Sequence, residues 1–316
     1  MRLQTFMIDT WDFSQHPPQR VNDASALKEN HWYHCQRNDA QLLPWLQSVG
    51  VEPELAQAAV EEDTRPRFQK VGDDGFFMIL RGVNLNPGAE PDDMLTLGML
   101  YHQGSLITLR RRQFNAILNL RERLEAGRGA SSLADLTMSI IELMQDRIGK
   151  ILHETEHFIE QVEDQMDNLS KAQQHELTMM HRRLLKLSRF LKPQMGALSS
   201  LEKSERPIFS GMEQRIANVR NEAQSISESI DSYLDHIWIL REHMQQAQAE
   251  LMNRNTYWLS MVAGVFLPLG FLTGLFGINI GGMPGTEDPT AFALFCIGLI
   301  LLGVIEFLLF RRLKFL

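Results

Sequence analysis

The triplet Gly277-Ile278-Asn279 closes a long apolar run, Trp258 to Phe276, and its residue types suit the handling of a cation. An Asn side-chain oxygen is a neutral acceptor for the water around a metal ion. A symmetric ring of such oxygens holds a hydrated divalent ion without binding it too tightly to leave. Gly277 lets the chain end a helix there and turn backbone carbonyls toward the same point. If Asn279 faces a pore, stepping back at helical spacing gives Gly274, Gly270, Leu267, Ala263, Leu259, Thr256 and Asn253 as the lining. None is charged, so an ion would keep much of its water shell, and Leu259 and Leu267 are natural apolar constrictions. Close helix packing is the competing use for Ala263, Gly270 and Gly274. Glu287 and Asp288 follow in the next loop, where carboxylates raise the local cation concentration; surface solubility is their plainer role.

Three other clusters carry metal-binding side chains. His153 and His157 lie four apart among Glu154, Glu156 and Glu160, a spacing that offers two imidazoles to zinc from one helix face. Asp231, Asp235 and His236 form a second group, and His31, His34 and Cys35 a third. A solvated acidic helix face is the plainer reading of the first two, and a structural or incidental role in an irregular segment that of the last. No Gly-x-x-x-x-Gly-Lys loop, Gly-x-Ser-x-Gly or His-Glu-x-x-His motif occurs, so neither an enzyme nor an ATP-driven pump is expected. Membrane potential alone would drive a divalent cation inward by about 4.6 kcal/mol per 100 mV.

The elements that must position these residues begin with two apolar stretches, Trp258 to Phe276 and Ala291 to Phe310, each about the 20 residues needed to cross a bilayer. Glu306 is the sole Asp, Glu, Lys, Arg or His side chain in either. The intervening residues 277–290 carry no Lys or Arg, whereas Arg254 precedes the hairpin and Arg311, Arg312 and Lys314 follow it. The positive-inside rule therefore places both termini in the cytoplasm. Met1 to Thr10 lack the features of a secretion signal, and no cleaved leader is expected. A net charge of -8 argues against nucleic acid as a partner, and two cysteines, one soluble and one in a span, fit a reducing compartment.

Upstream, residues 1–130 read as an α+β cytoplasmic domain: an antiparallel sheet with strands at Phe76 to Val83, Met94 to Tyr101 and Ser105 to Leu109, and a helix from Pro53 to Glu62. Residues 131–256 read as long helices, with a turn at Glu202 to Ser210, and residues 257–316 as the transmembrane hairpin with a short external loop, 277–290. From Met212 to Leu251 apolar residues alternate three- and four-residue steps, a heptad stripe that runs into the first span. A single helix of about 60 residues would reach roughly 90 Å. Such a stripe serves a coiled-coil or bundle core that joins subunits, and a rod of this kind can also relay cytoplasmic events to the membrane.

Gly277-Ile278-Asn279 inside Phe271 to Asn279, followed by Met283-Pro284-Gly285, resembles the CorA-type metal ion transporters, and the whole architecture is similar. Thr64-Arg65-Pro66-Arg67, Phe158-Ile159-Glu160-Gln161 and the run Phe271 to Gly277 look like the zinc-associated ZntB branch of that family. The resemblance implies a homopentameric funnel in the inner membrane of a bacterium. It also implies an inner ring of first spans, a Gly277-Ile278-Asn279 ring at the outer mouth, and Zn2+ as the transported ion, with Cd2+, Ni2+, Co2+ or Mg2+ as others and no resident cofactor. Gly285 departs from the magnesium channels, which usually carry Glu after Met-Pro. A CorA-like Mg2+/Co2+ channel is the alternative, proton coupling is left open, and a membrane-anchored sensor or scaffold without transport is a third reading.

Overall fold

The computed structural model describes residues 5–21, 26–62, 64–166, 169–278, 285 and 288–312, and the chain divides into two compact units, Met1–Leu240 and Arg241–Leu316. The first unit is built on a seven-stranded sheet of β1 (Met7–Asp12), β2 (Gln19–Val21), β3 (His31–Gln36), β4 (Arg67–Val71), β5 (Gly75–Gly82), β6 (Leu95–His102) and β7 (Ser105–Arg110), in the order β2-β1-β3-β7-β6-β5-β4. The three strands expected from the sequence are β5, β6 and β7, each shifted by a residue at most. The sheet is not wholly antiparallel as expected: β3 and β7 pair in parallel, Trp32 opposite Leu106 and Gln36 opposite Arg110. Two antiparallel pieces, β2-β1-β3 and β7-β6-β5-β4, meet there, and the segment between them carries α1 (Leu42–Ser48) and α2 (Pro53–Val60) over one face.

Alternation along the strands divides the core. Tyr33, Cys35, Phe77, Ile79, Ile107 and Leu109 face α1 and α2. Trp32, Phe76, Met78, Leu80, Leu97 and Leu106 face the opposite helices, α3 (Asn115–Glu125), α4 (Leu133–Asp164) and parts of α5 (Lys171–Glu202) and α6 (Glu213–Phe276). Because both faces are covered, all eight residues of β5 are buried. β6 and β7 are joined through Gln103 and Gly104, both at positive φ (48° and 71°). A Cβ on Gly104 would also approach Cγ of Glu29 to 2.9 Å, so the turn requires glycine there on both counts.

Ser132 caps α4 by accepting from the Asp135 amide, and Ser170 with Gln173 forms a capping box on α5. The Glu202 to Ser210 turn holds a 3-10 turn at Pro207–Phe209. The heptad stripe of α6 then splits in use. Ile216, Val219, Ala223, Ile226, Ile230, Ile237 and Leu240 are buried against the same chain, whereas Ala247 and Leu251 are exposed. Each large buried aliphatic side chain contributes about 1.5 to 3 kcal/mol. The stripe is therefore, up to Leu240, the core of an intrachain bundle rather than solely a seam between subunits. Arg215 fastens α6 to α4 with a bidentate pair to Glu142 (2.8 Å each) and a bond to Asp135 (2.7 Å); Arg220 pairs with Glu202 of α5 at 3.1 Å.

The second unit contains the rest of α6 and α7 (Ala291–Arg312), both long and apolar enough to cross a membrane. The α6 helix passes through Pro268, which removes one backbone donor from the interior of a span. The two helices touch through Phe276 and Phe295, with ring centroids 4.9 Å apart, and through Gly264, against which the ring of Phe310 lies.

Candidate ion pathway

At 3.6 residues per turn, Asn253, Thr256, Leu259, Ala263, Leu267, Gly270 and Gly274 fall within about a third of the circumference of α6. All seven are exposed, Leu259 at 71% and Leu267 at 77%. Met261, Gly264, Val265, Pro268 and Leu272 lie on the other side of the helix and are half-buried. The hairpin thus covers one face of α6 and leaves the expected lining open.

The glycines separate the two uses that small residues have in a membrane helix. A Cβ on Gly264 would meet Cζ of Phe310 at 2.9 Å, so Gly264 is the close-packing residue. Around Gly270 and Gly274 nothing lies within 4 Å. Within this hairpin, then, close packing needs neither of them. Sequence reasoning did not single out Gly264 for packing, because Gly264 and Ala263 are adjacent and only the position of α7 tells their faces apart.

The end of α6 is tied off locally. The Gly277 amide donates to the carbonyls of Thr273 (3.0 Å) and Gly274 (3.2 Å), and the Thr273 hydroxyl donates to those of Leu269 (2.9 Å) and Gly270 (3.1 Å). Gly277 and Ile278 are exposed at this end. Asn279 and Glu287 lie outside the described residues. Asp288 accepts from both the amide (2.8 Å) and the hydroxyl (2.7 Å) of Thr290, which holds its carboxyl below the usual range and fixes the chain's entry into α7.

Among the described residues no three His, Cys, Asp or Glu side chains come together in a metal-binding group. His153 Nδ1 is 3.5 Å from Glu156, His157 Nδ1 is 3.8 Å from Glu160, and the other ring nitrogen of His157 is 3.0 Å from Gln161. Asp231 pairs with Lys192 at 2.7 Å, while Asp235 and His236 are exposed on α6. His34 and Cys35 point to opposite faces of the sheet: His34 Nδ1 is bonded to Thr108 Oγ1 at 2.8 Å, and Cys35 lies 3.7 Å from the sulfur of Met7. Period-2 alternation keeps that trio from converging on one ion. Glu306 is the buried residue of α7, at 9% exposure, and its Oε2 has no partner among the described residues.

A mixed α/β unit, long helices and two C-terminal spans with an uncovered uncharged helix face define a membrane protein of the two-span ion-transporter class. Residues 28–312 match the family model described as CorA-like Mg2+ transporter protein. The chain belongs to that family of divalent-cation transporters and is not an enzyme. It is similar to the zinc transport protein ZntB of Vibrio parahaemolyticus, at 36% identity over 98% of this chain and 97% of the relative. It is also similar to the divalent cation transporter CmaX of Pseudomonas aeruginosa, at 33% over 92% of this chain and 88% of the relative. Among solved structures, full-length CmaX superposes with a TM-score of 0.83 at 30% identity, covering 98% of each chain. The cytoplasmic domain of the Vibrio ZntB covers 78% of this chain and all of its own, with a TM-score of 0.73 at 30% identity.

Proposed function

We propose that this protein carries Zn2+ across the inner membrane of a bacterium as a homopentamer, through a central pore lined by α6 with Asn279 ringing its outer mouth and both termini in the cytoplasm. The observation that carries the pore is the exposed face from Asn253 to Gly274, opposite the face that α7 covers. Two helices enclose no lumen, so several copies must bring that face together. Five is the number that the CorA-type resemblance implies. The choice of zinc rests on the likeness to proteins named for zinc transport. Oxygen ligands alone suit magnesium at least as well. The likeness to CmaX supports a second reading, a broader divalent-cation pathway.

Proton coupling belongs to the same proposal. Glu306 is the one acidic side chain within the spans, and intramembrane carboxyls are a common element of proton-coupled transport. The test is uptake of Zn2+, Mg2+ and Co2+ into liposomes, with and without an imposed pH gradient. Zinc uptake is expected, abolished by Asn279→Ala, with its pH-gradient dependence removed by Glu306→Gln. Magnesium uptake without zinc uptake would overturn the ion assignment, and flux unchanged by Asn279→Ala would overturn the ring.

A further inference from the structure

The transport pathway uses none of the arginines gathered at one end of the sheet. β3, β5 and β7 run in the same direction, and the crevice beyond the carboxyl ends of such strands is where α/β sheets commonly receive ligands. Here Arg37 follows β3, Arg111 and Arg112 follow β7, and Arg81 lies near the end of β5. Together they line a cavity of about 220 Å3, several times the ~30 Å3 of one liquid water.

Among the described residues that line it, arginines outnumber carboxylates, Arg37, Arg81, Arg111 and Arg112 against Glu62 and Asp93. The carboxylates serve rim pairs, Arg111 to Glu62 at 3.3 Å and Arg112 to Asp93 at 3.2 Å, in which every side chain is more than half exposed. Such pairs are weak and readily exchanged. Arg81 is fixed in place, donating to the carbonyls of Met94 (3.2 Å) and Thr64 (2.9 Å) with its guanidinium 4.4 Å above the ring of Phe190.

Arg37 is different. It is 5% exposed, its Nε has no partner among the described residues, and the one hydrogen bond its side chain makes there is a long one, from Nη2 to Thr64 Oγ1 at 3.4 Å. Burial and the neighbouring Arg81 push its pKa down to about 10, offset in part by Glu61 and Glu62, which leaves it charged at neutral pH. Among the described residues no carboxylate pairs directly with this buried cation, which leaves it open to an anionic ligand. Thr64, the first residue of Thr64-Arg65-Pro66-Arg67, touches both buried arginines, which places that one residue of the motif beside the cavity.

We propose that this cavity binds a phosphate-type oxyanion, orthophosphate or the phosphate group of a larger metabolite, with Arg37 as its buried ligand and Arg111 closing over it from the rim. The guanidinium fork matches phosphate oxygens, and a phosphate monoester carries a charge near -2 at neutral pH.

Isothermal titration calorimetry on the purified full-length protein in metal-free buffer tests this with orthophosphate, AMP and chloride. Saturable binding of orthophosphate or AMP, but not chloride, is expected. Arg37→Gln should weaken it by at least about tenfold, the loss of one charge-assisted contact, and the exposed Arg111→Gln by a smaller factor. Arg65→Gln, exposed and not part of the lining, should bind as the parent does. Equal affinities for the two anions assign the ion itself, and much tighter AMP binding assigns a larger metabolite. No binding by the folded parent, or binding that both Arg37→Gln and Arg111→Gln leave intact, would overturn the proposal. The readout needs no ion flux, so it stands or falls apart from the transport reading.

Discussion

The ring of Phe310 lies over Gly264, its Cζ 2.9 Å from where a Cβ would stand, and this contact sets how closely the two spans approach. A methyl there is accommodated by a small movement of the ring, but a β-branched side chain is not. Gly264→Ile should therefore destabilise the hairpin by about 1 to 3 kcal/mol. Phe310→Ala in the same chain should recover part of that loss, a coupling expected of residues in contact. Gly270→Ala and Gly274→Ala, with open space at the Cβ, should leave stability within about 0.5 kcal/mol. Thermal unfolding in detergent measures all four. Loss of flux in the last two without loss of stability would tie those glycines to the pathway rather than to packing.

Asp9 in β1 is wholly buried between Arg121 of α3 and Arg20 of β2, and it makes ion pairs with both. Burial raises its pKa; Arg121, and then Arg20, act in the opposite sense. Removing Arg121 leaves a buried carboxylate supported only by the half-exposed Arg20. Arg121→Ala should cost about 3 to 5 kcal/mol at neutral pH. The raised pKa means that the folded state takes up a proton more readily than the unfolded chain. The deficit should shrink as pH falls through the folded-state pKa of Asp9, which lies above the ordinary carboxylate value. Denaturant midpoints of parent and variant at pH 7.5 and 5 check this, and a deficit independent of pH would refute it.

The helical and membrane portions were the most legible part of the chain. Runs such as Ile148, Leu152, Ile159 and Val162, and the stripe from Ile216 to Leu240, repeat at a period set by helix geometry alone, and two uninterrupted apolar stretches admit few readings. β1 and β3 were not read from the sequence, because Asp9, Thr10, His31 and His34 break the apolar alternation. The structure accounts for each of these with a specific partner or a sheet position covered on both faces. The parallel β3–β7 pair was equally hidden, since strand direction depends on how two distant pieces of sheet meet. For the pathway, helical spacing was enough to select one face of α6. Which glycine packs and which stays open depended on α7, about 40 residues further on. The Arg37 cavity left only faint traces, the run Arg110-Arg111-Arg112 and the Thr64 motif, because its walls come from five separate segments.

His34 is buried and neutral. Its surroundings, through burial first and then Arg110 and Arg121, hold its pKa well below the ordinary histidine value. Thr108 Oγ1 accepts from Trp32 Nε1 at 2.8 Å, leaving its hydroxyl proton for His34 Nδ1. The unfolded chain takes up a proton below about pH 6.5 that the folded chain does not. Stability should therefore fall as pH drops from about 6.5 toward the folded-state pKa, with this residue adding a slope of up to about 1.4 kcal/mol per pH unit. His34→Gln, which keeps a polar partner for Thr108, should show a shallower slope over the same window in denaturant titrations. Identical slopes would show that the proton uptake occurs elsewhere.

Asp288 serves α7 through its oxygen and, on the proposed pathway, would serve ion entry through its charge, and the two roles separate by substitution. Asp288→Asn keeps an Oδ1 acceptor for the amide and hydroxyl of Thr290, whereas Asp288→Ala removes it and should loosen the start of α7. In a pentamer, Glu287 and Asp288 would set about ten carboxylates around the entrance and concentrate cations there. Attraction of that kind acts over about 30 Å at 0.01 M salt and about 10 Å at 0.1 M. The pair Glu287→Gln and Asp288→Asn should accordingly lower zinc uptake into liposomes several-fold at 0.01 M salt and by much less at 0.3 M, with the protein equally stable at both. A fractional loss that is the same at the two salt concentrations would place the effect in the fold of the loop, and no loss at 0.01 M would remove these carboxylates from ion entry altogether.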